Sequence, residues 1–151
     1  MGRLLKRLIL VGLVVFVVIQ FVGPARTNPA SDPAKHLTKR LAVPADVKAT
    51  LDRSCANCHS NATIWPWYAH VAPVSWNVIS HVNDGRGSMN FSDWPEGAEE
   101  AADLLDGICD EVKKGTMPMP QYTWVHRDAV LTDADRKRLC EWSSKAAGDL
   151  Y

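Results

Sequence analysis

The sequence has no run in which apolar and polar residues alternate long enough to make a convincing strand, which argues against a sheet-based fold. It has no internal repeat, which removes solenoid and propeller architectures. It has no basic excess, since 17 Lys and Arg balance 17 Asp and Glu. Without a basic patch or stripe, nucleic-acid binding is not expected. Cysteine is scarce: there are four, and only Cys55 and Cys58 form a C-x-x-C pair. No second such pair is present, so a four-ligand structural zinc site lacks its ligands. Acidic residues are missing from the first 31 positions, whereas Arg3, Lys6 and Arg7 stand there close together.

After those three cations comes an uncharged run from Leu8 to Gly23, "LILVGLVVFVVIQFVG", in which Gln20 is the one polar side chain. A basic flank before an apolar run is the layout of an export signal. The run is about 15 residues, slightly short of the roughly 17–25 that a spanning helix needs. Leu4 and Leu5 extend it if Lys6 and Arg7 snorkel to the interface. The residues after it, "QFVGPARTNP", hold no A-x-A-like cleavage site, so an uncleaved membrane anchor over 1–23 is favoured over a removed signal peptide. Cations stay on the cytoplasmic side, so the remainder is expected outside it. With the three flanking cations set aside, the rest carries 14 basic against 17 acidic residues. Residues 24–45 contain four prolines and few large apolar side chains, and are expected to form an extended linker. His36 within it is expected to be solvated.

Residues 46–148 form the expected folded domain, all-α, with four helices. The first covers Asp46 to Cys58, with Val47, Leu51 and Cys55 on one face. The second is the short "SWNVISHVND", stopped by "DGRG". The third takes Asp93 as N-cap with Glu96 three later and Pro95 in the first turn. Leu104, Leu105, Ile108 and Val112 supply its apolar face, and Gly115 ends it. The fourth is capped by Thr132, buries Leu139, Trp142 and Ala146, and stops at Gly148.

At the end of the first helix stands "CANCH". Cys55, Cys58 and His59 make the C-x-x-C-H signature of c-type haem attachment. One helical turn lets two thiols reach two vinyl groups of one porphyrin while the imidazole points at the iron. A thioredoxin-like dithiol expects a βαβ context, and no strand is evident. A Cys55–Cys58 disulfide leaves His59 unexplained. A sixth iron position needs a further ligand, and a thioether there raises the reduction potential and suits electron transfer. "KKGTMPMPQY" offers Met117 and Met119 in a proline-stiffened loop after a helix stop. Met117 is the favoured distal ligand and Met119 the alternative. His70, His81 and His126 compete, so a bis-histidine site stays open.

The order of "CANCHS", "TIWPWYAHVAPVSW", "HVNDGRGSMNFSDW" and "VKKGTMPMPQYTWVHRDAVLTDADRKRLCEW" resembles the bacterial haem-binding domain family of single-haem, cytochrome c-like proteins, over about residues 45–145. The resemblance implies one covalent haem c on Cys55 and Cys58, His59 as proximal ligand and, through the "G-x-M-P" element, Met117 as distal ligand. It also implies a short chain with an amino-terminal membrane segment. Cys109 and Cys140 are additions to the family pattern, and Met89 stands where a bulkier aliphatic residue is expected.

Around the motif, Trp65, Trp67, Tyr68 and Trp76 are candidates for a haem-pocket wall, with an indole N–H or the Tyr68 hydroxyl on a propionate; the alternative is ordinary aromatic core. Arg86 is a second candidate propionate partner, or a solvated loop arginine. Cys109 and Cys140 are expected to pair if the chain is exported. Asp93 to Glu111 holds eight acidic residues and no basic one, a polarity that steers a charged partner or merely solvates a helix face. The expected protein is a single-pass inner-membrane cytochrome with its carboxy-terminal domain in the periplasm, or a soluble periplasmic one after cleavage. It would carry electrons to or from a redox partner protein rather than act as an enzyme. The alternative is a haem sensor or peroxidase-like enzyme with an open distal site, where a histidine supplies the acid–base group.

Overall fold

A computed structural model describes residues 2–151, and the regular elements in them are helices: α1 (Gly2–Ile19), α2 (Leu37–Arg40), α3 (Ala45–Ser54), α4 (Ala56–His59), α5 (Val74–Ser88), α6 (Ala98–Lys114), α7 (Pro120–Val125) and α8 (Asp133–Gly148). Short 3₁₀ turns occur at Pro33–Lys35, Trp67–His70 and Arg127–Ala129. No strand occurs among the described residues, as the missing alternation implies.

The frame is the α6–α8 pair. Leu105, Ile108 and Val112 of α6 and Leu139, Trp142 and Ala146 of α8 are buried in one apolar core with Val47 and Leu51 of α3. A Cys109–Cys140 disulfide joins the two long helices across a sequence separation of 31. Thr132 and Asp135 form a reciprocal capping box at the start of α8, which satisfies backbone donors that a helix start leaves orphaned. Gly115 ends α6 at φ 72°, a left-handed conformation in which its N–H bonds the Glu111 carbonyl and which glycine adopts without a Cβ penalty. That stop throws the chain out of α6 into the Met117–Met119 segment.

Three helix boundaries differ from expectation. The helix expected from Asp46 to Cys58 breaks at Cys55, whose φ −125° and ψ −40° are not helical, and restarts as α4. "DGRG" does not stop α5, which runs on to Ser88. α6 starts after Gly97 rather than at Asp93. Trp94 is buried in the core at 2% exposure, its backbone N–H bonds the Lys35 carbonyl, and Asp93 pairs with Lys35 at 3.3 Å. Those contacts hold 93–95 outside the helix.

The linker is not a free spacer. Leu37 is buried at 1% exposure and belongs to the main core, its N–H bonds the Phe91 carbonyl at 2.8 Å, and the Ala42 carbonyl accepts from Trp142 Nε1 at 3.0 Å. Asn28 donates to the Thr63 carbonyl and Arg26 to that of Ala69. The packed unit therefore begins at Leu37, nine residues before the expected boundary. Residues 24–32 carry no regular structure, whereas Pro33–Lys35 and Leu37–Arg40 turn helically, and Leu37 brings an apolar side chain that has to be buried. His36 is the N-cap of α2, its Nδ1 accepting from the Thr38 N–H.

α1 buries none of its side chains. Its 18 residues would extend about 27 Å at 1.5 Å per residue. No helix among the described residues is long and apolar enough to cross a membrane.

Candidate functional site

Beneath the α6–α8 frame lies a cavity of about 420 Å³, lined among others by Cys55, Cys58, His59, Met117, Met119 and Tyr122. Leu51, Phe91, Leu104, Ile108 and Val112 supply its apolar walls. The break at Cys55 begins α4, and the Cys58 and His59 N–H groups both bond the Cys55 carbonyl, at 3.1 and 3.0 Å. This single turn brings both thiols and the imidazole to the cavity together. Cys55 and Cys58 are free, part-buried thiols. Burial, and secondarily the neighbouring Cys58, pushes the Cys55 thiol up to about 12, and burial raises Cys58 as well. Both therefore stand as neutral thiols.

His59 is 9% exposed, and its Nδ1 lies 3.1 Å from the Met89 carbonyl oxygen. A carbonyl only accepts, so Nδ1 carries the proton and Nε2 keeps its lone pair. Burial lowers the imidazole's basicity further, against the opposing pull of the Met89 and Gly85 carbonyls. Its ring stacks on Phe91 with centroids 6.1 Å apart. The result is a neutral, oriented imidazole of the kind that ligates a metal through its free nitrogen.

Gly85 explains why "DGRG" lies inside a helix. A Cβ on Gly85 would sit 2.8 Å from the Cys58 carbonyl oxygen. The glycine is needed for close approach of α5 to the cysteine turn, not for chain reversal. The Met89 carbonyl that orients His59 lies at the end of that helix.

Several expected site residues lie elsewhere. Trp65, Trp67, Tyr68 and Trp76 do not line this cavity. Trp67 is 79% exposed, Trp76 gives its indole N–H to the Val22 carbonyl, and the Tyr68 hydroxyl bonds His126 Nε2 at 2.6 Å. The 3₁₀ turn at Trp67–His70 lies on the linker side, where Arg26 bonds the Ala69 carbonyl, so these aromatics form neither the pocket wall nor the core. Arg86 lies within α5 rather than in a loop, and it does not line this cavity. It donates to the Ser60 and Thr27 carbonyls, Asn28 Oδ1 and Thr63 Oγ1, all within 2.9 Å. It lines a separate polar cavity of about 380 Å³ instead. Its fork ties the linker to the loop after His59, which leaves it unsuited to a propionate in the main cavity. His70 and His126 do not line the cavity, whereas His81 does.

Tyr122 and Asn57 are site residues that no sequence pattern singled out. Tyr122, three residues past Met119, lines the cavity, stacks on His126 at 4.2 Å and accepts a hydrogen bond from Asn57 Nδ2 at 2.9 Å. Asn57 sits between the two cysteines, so this bond ties the cysteine turn to the methionine segment. The one signal was the placement of a tyrosine just after "MPMP"; nothing in the sequence marked Asn57.

Two thiols, a neutral imidazole and two thioethers around an apolar cavity are soft and borderline donors suited to a transition-metal cofactor with a large apolar body. A helical fold around such a cavity suits a protein that holds a metal cofactor. The chain belongs to the haem-binding domain family, whose model matches residues 14–145. No curated protein and no solved structure matches it. The cavity residues fit the group: apolar walls for a porphyrin, paired thiols on one turn, and an oriented imidazole.

Proposed function

We propose that this haem protein is a membrane-tethered single-haem c-type cytochrome that carries electrons in the periplasm, with α1 as its anchor in the inner membrane. The observation that carries the reading is the convergence of Cys55, Cys58, His59, Met117 and Met119 on one apolar cavity. Cys55 and Cys58 would hold the porphyrin through thioether bonds, His59 would ligate the iron through Nε2, and Met117, or Met119, would supply a second iron ligand. When bound, haem supplies a one-electron couple at its iron. The apolar walls exclude water, and Tyr122 with Asn57 braces the methionine segment against the attachment turn. The partner would be a second redox protein, with no bond made or broken in a substrate.

His81 in the cavity wall favours one second reading, in which a histidine replaces methionine or serves as an acid–base group beside an open iron position. A reduced pyridine haemochrome spectrum, with colour that stays on the chain after acid–acetone extraction, tests covalent haem c. The weak far-red sulfur-to-iron band of the oxidised protein tests methionine ligation. Met117→Ala is expected to abolish that band. Its survival there and loss in Met119→Ala would exchange the two roles, and rapid carbon monoxide binding to the reduced protein would favour the second reading.

A further inference from the structure

An exposed apolar face lies where the chain leaves α1. Gln20, just past the helix end, makes a two-way contact with the Ala72 backbone: its Oε1 accepts from the N–H at 2.9 Å and its Nε2 donates to the carbonyl at 3.3 Å. Trp76 Nε1 grips the Val22 carbonyl at 2.8 Å, and Arg26 reaches the Ala69 carbonyl. Between α1 and the domain there is no slack. Apolar side chains stand next to these anchor points along the chain. Val71 and Val74 flank Ala72, Trp67 precedes Ala69 by two positions, and Ile64 is next to the Thr63 that binds Asn28. Ile64, Trp67 and Val74 are 78%, 79% and 51% exposed, and Phe21 on the joining segment is 86% exposed.

We propose that this face is a membrane-docking surface, seated in the headgroup and upper acyl region of the bilayer that holds α1. The proposal rests on the reading of α1 as an anchor and adds that the domain lies against the lipid in a defined orientation. Two observations select lipid as the occupant. The face is continuous along the chain with the unburied apolar surface of α1 through Phe21 and Val22. α1 is also short: between Arg7 and the helix end at Ile19 only the segment Leu8–Ile19 is free of charge, about 18 Å at 1.5 Å per residue against a hydrocarbon core of roughly 30 Å. A domain face rich in Trp and Val at the end of a short helix relieves that mismatch, with the indole at the interface where it is most stable.

The test uses the full-length holoprotein in vesicles of phosphatidylethanolamine and phosphatidylglycerol that carry a photoactivatable diazirine phospholipid, with adducts mapped by peptide mass spectrometry. Adducts on α1 and also on the peptide spanning 64–74 are expected. Adducts on α1 with none on 64–74 would overturn the docking surface while leaving the anchor intact. Adducts on neither would overturn the anchor reading itself. If 64–74 is unlabelled and the solubilised chain is a dimer, the face belongs to a second copy and the proposal fails. Trp67→Asp with Val74→Asp, both at exposed positions, is expected to lose the 64–74 adducts and keep those on α1 and the haem spectrum. Retained 64–74 adducts in that variant would count against the proposal.

Discussion

At the scale of single residues, Gly85 and Asn57 show how closely the cysteine turn is fitted. Gly85→Ala would place a methyl group 2.8 Å from the Cys58 carbonyl oxygen, against backbone that has no freedom to rotate away. Overpacking of this kind costs about 1–3 kcal/mol. Urea denaturation of Gly85→Ala is expected to show a loss in that range together with weaker haem retention. Asn57→Ala removes the donor to the Tyr122 hydroxyl and the acceptor of the Ile64 N–H, two neutral hydrogen bonds with a net contribution of about 0.5–1.5 kcal/mol each. It is expected to lower stability by the two together and to weaken the sulfur-to-iron band, because the methionine segment loses its tie to the cysteine turn. Cys55, Cys58 and His59 were legible because adjacency in sequence places them on one turn. Tyr122 and Asn57 were not, because their pairing spans 65 residues and neither type is distinctive alone.

At the scale of elements, the start of α8 carries an acid-sensitive device. Burial opposes ionisation of Asp135, but hydrogen bonds from the Thr132 backbone and hydroxyl and from Arg53 outweigh it and hold the carboxyl down at about 2. A carboxyl depressed in the folded state stabilises the fold above its ordinary value of 3.8. That contribution is lost as pH falls through the folded value. Asp135→Asn is expected to reduce stability at pH 7 and to flatten its decline between about pH 5 and 2, as thermal melts across that range would reveal. Thr132→Ala, which removes the cap hydroxyl, is expected to cost about 0.5–2 kcal/mol. The linker is the second element where contacts override local propensity. Arg86→Ala removes four hydrogen bonds that hold it and the loop after His59, and limited proteolysis is expected to open new cleavage sites between residues 24 and 36.

At the scale of the whole molecule, the Cys109–Cys140 disulfide joins α8 to α6, and α6 lines the cavity. A loop of this length stabilises by about 3–4 kcal/mol in the chain-entropy picture. The Cys109→Ala, Cys140→Ala double variant is expected to lose stability on that order in chemical denaturation, while the haem spectrum of the folded fraction stays unchanged because neither sulfur faces the cavity. The acidic run from Asp93 to Glu111 is partly internal in its effect: Asp93 pairs with Lys35, Glu96 with Arg40 and Glu111 with Lys114. Asp84, Asp103 and Glu111 line the cavity. Negative charge there favours the more positive oxidation state of a bound metal, so Asp103→Asn is expected to raise the reduction potential, as a spectroelectrochemical titration would show.

The sequence by itself determined the all-helical class, the grouping of Cys55, Cys58 and His59, the α6 and α8 faces and their stops, because helix periodicity, caps and a five-residue motif are encoded among near neighbours. Only the tertiary structure decided which aromatics meet the cavity, what Arg86 holds, that the proline-rich segment is packed and that Gly85 serves close approach rather than a turn. Those outcomes depend on which distant backbone carbonyls and side chains arrive at the same place, and a donor or an apolar surface takes whichever partner the fold brings within reach.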